Sequence, residues 1–200
     1  MKKSLLFICL FFTVHYLHAQ QLKFSLEGGI NFSGAYAVDD GEVLKGGPLV
    51  GYQIGVAAKK IINQKISFQP SILYVYGGTY RTGLEANHTK YFVSLLRLPL
   101  DFLYQKSDKF FFGAGPFIGY AMSGKHTLGG KAYKIYFGND PDLDDSRRLD
   151  AGLDVMAGYL IQPNLALKGC FDLGLINPGL PPLKVNSRVF GIMINYLLKK

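Results

Sequence analysis

Apolar and polar residues take turns along most of this chain. Leu22, Phe24, Leu26, Ile30 and Phe32 share one parity, and Lys23, Ser25, Glu27, Gly29 and Asn31 take the other. Successive side chains of a strand point to opposite faces, so the stretch predicts one strand with an oily and a polar face. The same alternation returns around Val50–Val56, Ile66–Tyr76, Leu96–Tyr104, Phe110–Met122, Leu149–Tyr159, Leu165–Leu173 and Phe190–Tyr196. Eight strands of about ten residues or a little more have the length of tilted membrane strands. The connections alternate too. Those after the second, fourth and sixth strands are short (Ile61–Gln64, Gln105–Asp108, Ile161–Asn164). Those after the odd strands are long, around 33–46, 77–89, 124–147 and 176–186. Short turns on one rim and long loops on the other predict an all-β fold: an eight-stranded antiparallel up-and-down transmembrane β-barrel, with periplasmic turns and extracellular loops.

Period two alone does not say whether the oily face looks in, as in a soluble ligand-binding barrel, or out, toward lipid. Three features point outward. Charges fall mid-strand on the polar parity. Glycine fills much of the rest of it, which suits a narrow lumen. Aromatics gather near strand ends, with Phe24, Phe68, Tyr104, Phe110, Tyr159 and Tyr196 at one rim and Phe32, Tyr76, Phe92 and Tyr120 at the other. That resembles two interfacial girdles. Pro99 and Pro116 lie inside strands, where a missing N–H predicts bulges or local breaks.

Composition agrees. The chain has 200 residues, 48% hydrophobic and only 18% charged, with 24 glycines. This excludes disorder, and outside the first twenty residues no apolar run is long enough for a membrane helix. Met1–Ala19 is expected to be a secretory signal: Lys2 and Lys3, an apolar stretch from Leu5 to Val14, then a small residue at Ala19. Residues 20–200 then form one barrel domain. Removing the signal takes Lys2 and Lys3 from a net charge of +8, and leaves Cys170, His88 and His126 as the cysteine and histidine complement. No internal disulfide follows, and a zinc site built on histidines and cysteines is not expected.

With these residues in view, Leu96-Arg97-Leu98-Pro99-Leu100-Asp101-Phe102-Leu103-Tyr104 resembles the I-P-L strand of the PorT-like outer-membrane β-barrel proteins of Bacteroidota. Phe112-Gly113-Ala114-Gly115-Pro116-Phe117-Ile118-Gly119-Tyr120 resembles their G-P-Y-x-G strand. The segments 150–158 and 186–196 and the Ala19-Gln20 junction fit as well. The resemblance implies a bacterial outer-membrane location, insertion by the barrel assembly machinery and, for some members, a part in type IX secretion. Many such barrels end on an aromatic residue, whereas this chain closes on Tyr196-Leu197-Leu198-Lys199-Lys200.

Candidate chemistry is sparse. Glu27, Arg97, Asp101, Asp154, Lys168 and Asp172 would face the lumen. They are expected to pair with one another, because lone buried charges are costly; the alternative is a proton or ion path. Asp140, Asp142, Asp144 and Asp145, in the longest loop, have the residue type for calcium but lack the glycine and distal glutamate of an EF-hand, so a solvated loop is the plainer reading. Ser123, His126 and His88 near the outer rim suggest part of a nucleophilic site, but no third member or oxyanion hole is marked, and no catalytic residue is assigned. Lys125, Lys131, Lys134 and Arg147 suit lipopolysaccharide phosphates. The positive charge is too dispersed for nucleic acid. No cofactor is implied. The expected function is non-enzymatic: an envelope-structural or surface-binding barrel acting through its outer loops. The alternatives are an accessory part of a secretion system and, more remotely, a lipid-modifying enzyme.

Overall fold

A computed structural model describes residues 22–39, 41–44, 46–82, 88–140 and 143–198. The expected signal segment lies outside them. Ten strands follow in order: β1 (Leu22–Asp39), β2 (Glu42–Leu44), β3 (Gly46–Ile61), β4 (Ile66–Thr82), β5 (His88–Gln105), β6 (Phe110–Leu128), β7 (Lys131–Lys134), β8 (Leu149–Gln162), β9 (Leu165–Gly174) and β10 (Lys184–Leu197). Eight long strands pair antiparallel with their sequence neighbours. β10 pairs with β1 from Ser25↔Leu197 to Val38↔Lys184 and closes the ring. The short β2 and β7 add to β1 and β6 at the long-loop end.

The oily face looks outward. Ile54, Ile118, Leu153, Ile194 and their parity partners are exposed, while the opposite parity is sealed inside. On β6 the outward apolar band runs from Phe110 to Met122. Twelve steps at roughly 3.3 Å, tilted about 45°, give a band on the order of 28 Å tall, the height of a bilayer core. Aromatic pairs mark its edges: Phe110–Tyr159 at 4.9 Å and Phe68–Phe102 at 5.1 Å near the short turns, and Tyr76–Phe92 at 5.6 Å and Phe32–Phe190 at 6.3 Å toward the long loops.

One sequence expectation changes in detail. Much of the expected long loops is strand. β1, β4, β5 and β6 continue past the apolar band, and β6 turns into β7 through Gly129-Gly130, whose φ of 56° and 81° is the left-handed region that glycine adopts freely. The alternation fades there because no lipid demands an oily face, yet backbone pairing persists. Of the bulges or local breaks expected at the prolines, a break forms. The β5–β6 ladder stops between Pro99↔Phe117 and Phe102↔Ala114 and resumes in the same register. True shifts fall elsewhere, at Leu49/Tyr52, Ser94/Leu95 and Leu160/Gln162.

The short turns are set by side chains that mimic a strand partner. Asn63 Oδ1 accepts from the N–H groups of Lys65 (2.9 Å) and Ile66 (2.8 Å), and Ser107 Oγ accepts from Phe110 N–H (3.2 Å).

Candidate functional site

The lumen has three layers. Near the short turns it is packed with Leu103, Phe111, Met156, Ala166, Cys170 and Met193. These sit on the polar parity, and alternation does not find them. The available signal was the doubled apolar runs, such as Phe110-Phe111-Phe112 and Val155-Met156, which leave an oily residue on each face. Gly158 makes room: a Cβ there would run into the Phe111 ring.

The middle layer is charged. Glu27, Arg97, Asp101, Asp154, Lys168 and Asp172 all lie sealed in the interior, none more than 3% exposed. Glu27 Oε1 is a hub. It accepts from Lys168 Nζ at 2.8 Å, Asn195 Nδ2 at 2.7 Å and Gln69 Nε2 at 3.2 Å. Four strands therefore meet on one carboxylate oxygen. Arg97 Nη1 bonds Asp172 Oδ2 across the lumen, and its guanidinium lies 4.5 Å from the Phe117 ring centroid. Asp101 and Asp154 belong to the same layer but to neither ion pair. Sequence reasoning passed over Asp150, which is buried and accepts from Ser187 Oγ at 2.7 Å. It also passed over Gln53, whose Nε2 reaches Cys170 Sγ at 3.6 Å. Buried polar groups that bond across a lumen fix strand order as well as charge, since each bond requires both strands in register.

The outer layer is hollow. A cavity of about 380 Å³ lies above Arg97 and Asp150, under a roof drawn from two outer connections. Ile135 and Leu180 tuck into the barrel mouth. Ser146 ties the connections together: its Oγ donates to Pro178 O at 2.9 Å, and Arg147 N–H donates to the same oxygen at 2.7 Å.

The acidic run borders this roof, and Asp145 lines the cavity with it. Asp145 Oδ2 accepts from Tyr136 N–H (2.7 Å) and Asp144 Oδ2 from Asp140 N–H (3.0 Å), so these carboxylates shape the turn. Asp142 lies outside the described residues. Among the described residues the acidic run gathers no metal-ligand group; the group that does form is Asp154, Cys170 and Asp172. His126 stacks on Tyr133 (5.3 Å) and meets Tyr91 at a tilt (5.8 Å), and no hydrogen bond joins it to Ser123 among the described residues. The side chain of His88 lies outside them.

Residues 18–178 match the family described as outer membrane protein beta-barrel domain. The chain belongs to that family. It is a small bacterial outer-membrane β-barrel, and the short turns are its periplasmic rim. Among solved structures, the barrel is similar to Neisserial surface protein A, at 14% identity and a TM-score of 0.56, covering 88% of this chain and 99% of that one. Outer membrane protein OprG from Pseudomonas aeruginosa matches at 13% identity and a TM-score of 0.48, over 90% and 98% of the two chains. Ail, the attachment invasion locus protein of Yersinia pestis, matches at 14% and 0.45, over 88% and 98%. At 14% identity the likeness to Neisserial surface protein A is one of fold. No curated protein matches the chain.

Proposed function

We propose that this outer-membrane barrel is a non-enzymatic surface-binding protein whose extracellular end holds anionic glycolipid, with lipopolysaccharide phosphates as the chemistry it fits. The observation that carries this reading is a set of cations laid over aromatic rings at and beyond the outer edge of the apolar band. Arg148 lies 5.7 Å from the Tyr120 ring and 5.4 Å from Phe137; Arg188 lies 5.6 Å from Tyr36, and Lys125 lies 5.8 Å from Phe92. Tyr120 and Tyr36 are exposed at that level. Arg148 gives one N–H to the Ala121 carbonyl at 3.0 Å; its remaining N–H groups and those of Arg188 stand at the depth where outer-leaflet phosphates lie and suit their oxygens. The motifs quoted above further support placing the chain with the PorT-like barrels of Bacteroidota. No feature of the geometry favours the secretion role that some of those members have.

The test compares the wild-type barrel with the double variant Arg148→Gln, Arg188→Gln. Both are refolded into phospholipid vesicles with and without added lipopolysaccharide, and thermal unfolding is followed by the gel shift of boiled against unboiled samples. Lipopolysaccharide should raise the wild-type midpoint and raise the variant's less. An equal rise in both would remove the glycolipid reading.

A further inference from the structure

The charged layer does not balance. Among the described residues, five buried carboxyls (Glu27, Asp101, Asp150, Asp154 and Asp172) share the interior with two buried cations, Arg97 and Lys168. The cations are committed, Lys168 to Glu27 and Arg97 to Asp172. A sealed, low-dielectric interior does not hold unpaired carboxylates without a counter-charge.

The excess is also concentrated. Asp154 on β8 and Asp172 on β9 are direct register partners, an arrangement in which two like charges repel at closest approach. On its other side Asp154 faces Gly115 of β6. Gly115 brings no side chain into the lumen, and a Cβ there would stand 2.8 Å from the Asp101 Cα. Asp101, Asp154 and Asp172 therefore form one row across four neighbouring strands, with a gap at the glycine. Asp101 is fully buried, and neither of its carboxylate oxygens meets a hydrogen-bond donor; Asp154 Oδ1 has none either. Cys170 precedes Asp172 by two residues on the same strand face. Its Sγ and one oxygen from each of Asp154 and Asp172 lie within 4.8 Å of one another.

The geometry points to a buried divalent-cation site in the lumen, made by Asp154, Asp172 and Cys170 and completed by Asp101. Two or three carboxylates with one thiolate form a mixed oxygen–sulfur set, which selects a borderline ion of the Zn²⁺ class over calcium or magnesium. On loading, the Cys170 S–H bond breaks, its proton passes to solvent, and a sulfur–metal bond replaces it; no oxidant or reductant is involved. Gln53 and Arg97 then act as positioning residues, Gln53 on the sulfur and Arg97 on the second oxygen set. The ion links β5, β8 and β9 in the layer between the packed end and the hollow end.

The experiment refolds the mature barrel in detergent from metal-free chaotrope, adds Co²⁺ or Zn²⁺, and removes loose metal by gel filtration. Wild type should retain one equivalent of Zn²⁺ and, with Co²⁺, show a thiolate-to-metal charge-transfer band. Asp154→Asn and Cys170→Ala should each weaken retention by about 10-fold or more, and Cys170→Ala should abolish the band. Asp145→Asn, in the acidic outer loop, should change neither. Because Asp154→Asn can impair refolding, the cobalt spectrum of the wild type decides on its own. A wild type that folds, retains no metal and shows no band overturns the site, and the acid row then holds protons. Metal retained by Cys170→Ala and Asp154→Asn as tightly as by wild type also overturns it.

Discussion

The two ends of this barrel are built to different rules. At the periplasmic end the turns are tight and the lumen is packed. The charges there are Lys23, Lys59, Lys60, Lys65, Lys106 and Lys109 against a single acid, Asp108, among the described residues. At the extracellular end strands outrun the membrane, the lumen is hollow, and arginines and lysines mix with Asp144 and Asp145. The first end has what an anchor needs: filled volume, and flexible point charges near phospholipid headgroups. The second has what a binding surface needs, namely planar cations on aromatic supports and loops tied to each other. The charged layer between them belongs to neither and holds the strands in register.

If this division is right, equal truncations should cost unequal amounts. Leu103→Ala, which opens the packed end, should cost about 4–5 kcal/mol, whereas Ile135→Ala, which removes as many carbons beside an existing cavity, should cost about 2 kcal/mol. Urea unfolding in detergent micelles, followed by tyrosine fluorescence, would measure both. Equal losses would erase the distinction between a filled and a hollow half.

The lipid face should show no such asymmetry. Ile54→Arg and Ile118→Arg stand near mid-band on nearly opposite walls, so each should destabilise the barrel in bilayers by about 2–4 kcal/mol. A cost confined to one of them would mean that the barrel is tilted or partly covered by a partner. The smallest effect concerns the periplasmic lysines. Replacing Lys65 and Lys106 by glutamine should move stability by no more than about 0.5 kcal/mol each in neutral detergent, because both are exposed turn residues. A larger loss would show that the rim supports the fold itself.

Most of the wall was legible from residue order because lipid imposes a strict demand. Every second side chain from Phe110 to Met122 must be apolar or aromatic, and period two records it. The charged layer was legible for the same reason inverted: Glu27, Arg97 and Lys168 have no business on an oily parity, so they mark the inside. The packing was not legible. Phe111, Phe117 and Met193 are apolar residues on the polar parity, and filling a narrow tube places no pattern on the sequence. Asp150 escaped notice because it opens a strand, where an acid is also at home in a loop. The excess of carboxyls needed the register, since only pairing shows that Asp154 stands opposite Asp172 and that Gly115 leaves Asp101 beside them.

The seam between β1 and β10 joins Ser25 to Leu197, and the Leu198 amide donates to Phe24 O at 2.8 Å. The outer edge of β1 is therefore satisfied only by β10. No shorter piece of the polypeptide forms a ring, and an open edge in hydrocarbon leaves a whole row of amides stranded. Closure is consequently all-or-nothing: a copy lacking β10 has no half-made resting place in the membrane.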